Sequence, residues 1–382
     1  MTVSGEYELL LLSLLPGVNP GSFSRAGELI SAGDIGWDHL YDLAEHHAVR
    51  PQIDTLLSGA GLYRLAPEGF AVKIKGACRD NLVEQIDRVK EFFRIREKLA
   101  LQSVTAVPFK GFWLAVKYFG NLAARESSDT DLFLRYSDLK AAGDAMAGSG
   151  YRVGAPFLDE PDPADCEYAY GLYSGGRCIS YVEFHWRMAP AGFGLNITLD
   201  DLASQIIESE IEERKVEGFS PAATLLLTVM HHGGKDAFAK LKQVHDIAMI
   251  LSSGHEVDHH WLLSEAERHG CLTLLGVSAR LASDITGAEV PWWLKKLCLE
   301  DKITRLAEER ARRLADPPVY RRSFRGQVND WIFRFRSRDG YIVRAGLAWR
   351  FVRKVLLPRM VPEKLHHLFM RKYTIPEYAR EV

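Results

Sequence analysis

The stretch from about residue 101 to 195 constrains the fold most, because there the chain abandons helical periodicity. Ser103 to Gly111 (SVTAVPFKG) is β-branched and aromatic and ends in Lys110-Gly111, which reads as a short strand entering a turn. Phe112 to Gly120 reads as a short helix closed by its glycine. In DTDLFLRY, Asp129, Asp131 and Phe133 share one face while Thr130, Leu132 and Leu134 share the other, which is strand period. Ser137 is the expected N-cap of a helix over SDLKAAGDAMAGSGY. Pro156 to Asp165, rich in Pro, Asp and Glu, reads as a surface loop. EYAYGLYSGGRCISYVEFHW then reads as a hairpin turning at Gly175-Gly176.

Helical patterns lie on both sides. Trp37, Leu40, Leu43, Ala44 and Ala48 define an amphipathic helix, and Ala71 to Leu99 predicts one long helix. From Leu199 onward the pattern returns to helix, through TLLLTVMHHGGK and KLKQVHDIAMILSSG, and ends in an Arg-rich, Trp-rich region interrupted by prolines. The expected architecture is α+β, a small mixed-sheet core between helical segments. The expected divisions are a helical 1–100, an α/β core over 101–195, a helical 196–300 and an Arg-rich helical 301–382.

Composition narrows the function. With 48 Lys+Arg against 50 Asp+Glu, the chain carries a net charge of −2 and offers no global attraction to nucleic acid. Five scattered cysteines without a CxxC pair suggest neither a disulfide framework nor a thiolate zinc site, and fit a reducing, cytoplasmic compartment. The apolar run Leu9–Leu15 lacks a basic flank and falls short of the ~20 residues that span a bilayer. It reads as the core face of a first helix ended by Pro16 and Gly17, and no transmembrane segment is expected.

The chemistry-bearing signal is Asp129-Thr130-Asp131. Two carboxylates two apart on a strand point to one side and reach common divalent cations; hard oxygen ligands with open positions suit Mg²⁺. The N-terminus of the helix after Lys110-Gly111 would offer backbone N–H groups to an anion, with Lys110 adding charge. Further on, Glu183 and His185 share one strand face of YVEFHW, with Val182, Phe184 and Trp186 on the core side.

Lys110-Gly111, Arg125, Asp129-x-Asp131-Leu132 and Glu183-Phe184-His185-Trp186, in that order, resemble the DNA polymerase β-like nucleotidyltransferase superfamily. More narrowly they resemble its uncharacterised bacterial nucleotidyltransferase family, as do WDHLYDLAEHHAVRP and HHGGKDAFAKLKQVHDIAMIL; the resemblance runs from about residue 35 to 255. It implies a polymerase β-like core that transfers a nucleoside monophosphate from an NTP, ATP foremost, to an acceptor hydroxyl, with two Mg²⁺ ions. It implies Asp129, Asp131 and Glu183 as metal ligands, with Glu183 also orienting or deprotonating the acceptor. The Lys110-Gly111 turn would cradle the β- and γ-phosphates, Ser128 belongs to the same nucleotide-binding set, and Arg125 or Lys242 would neutralise departing pyrophosphate. The sequence departs from the narrower family at Thr130, where an apolar residue is usual, and at Glu183, where Asp is usual. The acceptor is read as a small molecule, sugar or peptide. A catalytically inactive nucleotide-binding scaffold and a toxin-like enzyme acting on tRNA are the alternatives.

Other groups have plainer readings. On an α-helix the adjacent His231 and His232 would diverge by ~100° and chelate poorly. Lys242 and Asp246 have the spacing of an ion pair along one helix. Asp258 with His259 and His260 reads as a helix start. The Arg-rich C-terminal region reads first as packing, with arginine stems over apolar surface, and only second as a nucleic-acid or membrane contact.

Overall fold

The change of texture after residue 101 coincides with a five-stranded mixed sheet in a computed structural model of the chain, which describes residues 4–15, 20–59, 61–153, 165–316, 323–352 and 356. The loop expected over 156–165 lies, but for Asp165, outside them, as do Pro16 and Gly17. The strands are β1 (Val107–Pro108), β2 (Thr130–Phe133), β3 (Arg152–Val153), β4 (Glu167–Ser174) and β5 (Arg177–His185), in the order β1-β2-β5-β4-β3. All pairs are antiparallel except β2 with β5, which run parallel with Asp131 opposite Glu183 and Phe133 opposite His185. The β4–β5 hairpin turns at Gly175-Gly176 with φ of 57° and 80°, values that glycine adopts without a Cβ penalty. The fold is α+β.

Four helices precede the long one: α1 (Gly5–Ser13), α2 (Pro20–Ser31), α3 (Trp37–His47) and α4 (Arg50–Gly59). The amphipathic run from Trp37 is thus two helices. Pro51 cannot donate an N–H to the preceding turn, and Ala48 takes a left-handed φ of 53° between them. The long helix α5 (Glu68–Ala100) carries 33 residues and lays Phe70, Ile74, Val89, Phe92 and Ile95 into the core.

The helix α6 (Phe112–Tyr118) follows β1, and α7 (Leu139–Ala147) follows β2. Ser137 does not cap α7. It sits in a short 3₁₀ turn, Tyr136–Asp138, and its hydroxyl bonds the Asp138 carboxylate, because the first helical turn starts one residue later than the serine suggests.

The region after Leu199 is not wholly helical. A second hairpin, β6 (Ile206–Ile211) with β7 (Arg214–Phe219), precedes α8 (Pro221–Thr228). Its turn is Glu212-Glu213, with φ of 49° and 63°. Glutamate rarely takes that conformation, so no Asn-Gly or Gly-Gly pair marked the hairpin. Gly218 in β7 lies against Trp113, whose ring would be 2.0 Å from any added Cβ.

Beyond it lie a π-helical turn (Val229–Lys235), α9 (Leu241–Ser252), α10 (His259–Arg268), α11 (Leu272–Thr286), α12 (Trp292–Cys298) and α13 (Asp301–Leu314). Asp258 caps α10 by accepting from Trp261 N. The described part of the Arg-rich region packs: Arg310 is buried against Asp330, and Arg334 and Arg338 donate to the carbonyls of Lys235 and of Gly194 and His269. Among the described residues no helix is long and apolar enough to cross a membrane.

Candidate active site

The parallel pairing of β2 with β5 builds the site. Asp131 and Glu183 are partners in register, so their side chains leave one face of the sheet together. His185, two residues on, turns its Nε2 to within 2.9 Å of Asp131 Oδ1 and 3.3 Å of Glu183 Oε2. The ligand atoms of Asp131, Glu183 and His185 all lie within 4.8 Å of one another, a spacing that suits a metal ion. Asp129 stands just before β2, half-buried, within the field of Asp131 and Glu183. Burial, then the Asp131 charge, pushes its carboxyl up to about 6.

Two basic side chains already serve these acids. Lys110 is buried, with Nζ 2.7 Å from Asp131 Oδ1. Burial works against its charge, but Asp131, Asp129 and Glu183 outweigh burial and keep it protonated. Burial disfavours the charged form of His185, but Glu167 at 3.1 Å from Nδ1, with Asp131 and Glu183, outweighs burial and raises its pKa. Burial alone would raise Asp131; Lys110 and His185 reverse this and hold it well below the usual carboxylate range. Lys235 closes the far side at 2.5 Å from Glu167.

Gly111 follows Lys110 with φ 57° and ψ −131°. A Cβ there would come 3.1 Å from both the Asp129 carbonyl oxygen and Ser127 Oγ, so the turn and the acidic loop touch through a glycine. The seven-residue helix α6 starts at this turn.

A chain of hydrogen bonds ties the turn to the helices behind it. Lys110 Nζ donates to His231 Nε2 at 2.9 Å, and the Nδ1 atoms of His231 and His232 lie 3.3 Å apart. His232 Nε2 meets Asp246 Oδ2 at 2.8 Å. Asp246 in turn receives Arg125 Nε and Nη2 at 2.7 and 2.8 Å, and Arg125 Nη1 donates to the Gly111 carbonyl at 3.2 Å. Starting at Lys110, the chain therefore ends on its neighbour in sequence. Burial, then Lys110, holds His231 neutral, the state in which Nε2 accepts from the ammonium and Nδ1–H donates onward.

This geometry revises two sequence-based expectations and gives Arg125 a buried setting. His231 and His232 bring their Nδ1 atoms to 3.3 Å, in a segment that is π-helical and not α-helical. Asp246 pairs with Arg125 and His232 rather than with Lys242. Arg125 is 4% exposed, with its fork filled by Asp246 and the Gly111 carbonyl. Glu167 and Lys235 carried no assignment in the sequence, and His231 and His232 were read only as poor chelators; the HHGGK run was the visible sign of the last three.

The N-terminal helices hold the loop before Asp129. Arg50 on α4 grips Glu126 at 2.6 Å, Gln52 donates to the Ala124 carbonyl, and Gln85 on α5 donates to the Ser127 carbonyl. Ser128 is exposed at the loop tip. Lys242, at the start of α9, donates to the Glu126 carbonyl at 3.2 Å. Burial, then the neighbouring Arg125, lowers its ammonium to about 8. Ser127, Ser128 and Lys242 line a cavity of about 590 Å³ that opens between this loop, α3 and α5.

The model of an uncharacterised nucleotidyltransferase family matches residues 33–287, two thirds of the chain, spanning α3 to the end of α11. The chain belongs to that family. No curated protein matches it. The match takes in each of the predicted site residues.

Proposed function

We propose that the protein is a Mg²⁺-dependent nucleotidyltransferase that moves a nucleoside monophosphate from an NTP, ATP foremost, to an acceptor hydroxyl. The observation that carries this reading is the in-register pair Asp131 and Glu183, with Asp129 beside it, in front of the Gly111 turn. Three carboxylates offer the hard oxygen donors that Mg²⁺ prefers, and burial and the Asp131 charge, which raise the pKa of Asp129, are what a bound cation would offset. Such an ion would supply charge neutralisation on the phosphoryl oxygens.

The chain's own groups account for the rest. Lys110, now 2.7 Å from Asp131, is the nearby ammonium that can pass to phosphate oxygen once the acids have another cation. The Lys110-Gly111 turn and the exposed Ser128 offer phosphate contacts, with Lys242 as a second cation beside Asp129. Glu183 faces the same space from β5, in position to hold an acceptor hydroxyl. Positioning and electrostatics of this kind supply most of the acceleration in phosphoryl transfer.

The test is release of labelled pyrophosphate and transfer of α-label from ATP with Mg²⁺ and a set of hydroxyl acceptors. Asp129→Ala with Asp131→Ala should lower transfer by at least ~10³-fold, in line with loss of a principal electrostatic element. Transfer that survives the double substitution overturns the assignment.

A further inference from the structure

We infer that the cavity between α3, α5 and the loop before Asp129 is the acceptor pocket, and that its acceptor is a small, hydroxyl-rich, charged molecule and not a nucleic acid. This rests on the nucleotidyl-transfer reading above.

Position is the first argument. The cavity wall includes Ser127 and Ser128, and the next residue is Asp129. A molecule seated there would lie against the loop that leads into Asp129, with Ser128 and Lys242, proposed above as phosphate contacts, in the wall that the two sites would share. At about 590 Å³ the cavity falls in the range of small-molecule sites, ~300–1,000 Å³.

The lining chemistry is the second. Asp80 and Glu84 project from α5, and Lys240 and Lys242 from the start of α9. Arg50 and Glu126, also in the wall, are already paired with each other. Asp80 also meets Arg79, Glu84 meets Arg88 and Lys242 donates to the Glu126 carbonyl, so the wall presents partnered groups of both signs across one space. A polyanion is drawn to a basin of one sign, which this is not. Stacking of unpaired bases uses an open aromatic face. The aromatic residue of the lining is Tyr41, and Lys73 Nζ covers its ring at 3.7 Å. What remains favoured is a compact polar acceptor with hydroxyls and charged groups.

Gly76 gives a direct test. It lines the cavity from within α5, and a Cβ there would meet nothing within 4 Å. Gly76→Phe therefore fills the pocket while removing a helix-weakening glycine. The full chain, with Mg²⁺ and the non-transferable analogue α,β-methylene-ATP, is mixed with a pool of aminosugars, sugar phosphates and hydroxy amino acids, and separately with total tRNA. Binding is read by saturation-transfer NMR for the pool and by fluorescence anisotropy for tRNA. The expected result is that pool members bind the native chain and bind Gly76→Phe at least tenfold more weakly, with affinity for the analogue unchanged. Asp80→Ala with Lys240→Ala, at more exposed positions, should weaken the same pool members. The inference is overturned if no pool member binds, if tRNA binds in preference, if Gly76→Phe leaves pool binding intact, or if it abolishes analogue binding as well. Failure of the underlying reading looks different: the native chain would not bind the analogue at all.

Discussion

Lys110 Nζ lies 2.7 Å from Asp131 Oδ1, with both groups buried, so the protein neutralises its own acidic cluster before any cofactor arrives. Removing one partner of a buried ion pair leaves the other uncompensated, at roughly 3–5 kcal/mol. Lys110→Met should therefore lower Tm in EDTA. Added Mg²⁺ should restore more stability to this variant than to the native chain, because the ion replaces the missing charge. Melting curves with and without Mg²⁺ check this; an equal Mg²⁺ response in both proteins refutes it.

Arg125 and Asp246 form a buried bidentate pair that also supports the Gly111 carbonyl. Asp246→Asn should destabilise by about 3–5 kcal/mol, as should Arg125→Met. Arg125→Met with Asp246→Leu should lose clearly less than the sum, since neither charge is then stranded. Urea unfolding of the four proteins gives the coupling energy. Additive losses would show that the two groups do not act as a unit.

The pH dependence has a definite sign. Asp129 titrates at about 6, above its ordinary 3.8, because burial and Asp131 oppose its charge. Its stabilising contribution is thus full below the unfolded value and is lost as pH rises through about 6. Asp131 acts oppositely: its lowered pKa contributes stability that is lost as pH falls. Comparing native chain with Asp129→Asn isolates the first effect. Without metal, the stability difference should shift in favour of Asn between pH 5 and pH 7, by chemical denaturation. In the same interval Mg²⁺ affinity of the native chain should rise, since the ligand must be ionised.

At Gly111, alanine would force a side chain into left-handed backbone space, 3.1 Å from the Asp129 carbonyl. Gly111→Ala should cost about 1–3 kcal/mol in strain and raise the KM for NTP more than it lowers Tm. Steady-state kinetics beside a melting curve separate the two. A variant with native KM would remove the turn from the nucleotide site.

The second hairpin offers a control far from chemistry. Glu212 and Glu213 hold φ of 49° and 63°. Glu212→Asn with Glu213→Gly should stabilise by roughly 1 kcal/mol, because these residues accept that backbone without a Cβ clash. Unchanged or lower Tm would contradict the strain argument.

Much of the architecture can be read from local pattern. Alternation in DTDLFLRY, the Gly175-Gly176 turn and the long periodic run of α5 depend on period and turn chemistry, which act over a few residues. So the acidic strand, its neighbouring hairpin and the α+β class are legible in the chain alone, and the motif order pointed to the family. Glu212-Glu213 was not legible, since a hairpin turn made by glutamates is held by its flanking strands and not by its own preference.

What only the tertiary structure decided is how charges are shared. Nothing local joins Lys110 to His231, or Arg125 to Asp246, across 121 residues each. A buried charge must find a partner, but several unpaired acids and bases in a sequence allow many pairings. Packing selects one of them by bringing α9 and the π-helical turn behind the Gly111 turn. That selection set Arg125 against Asp246 and the Gly111 carbonyl and His185 against Asp131, and the parallel pairing of β2 with β5 put Asp131 opposite Glu183.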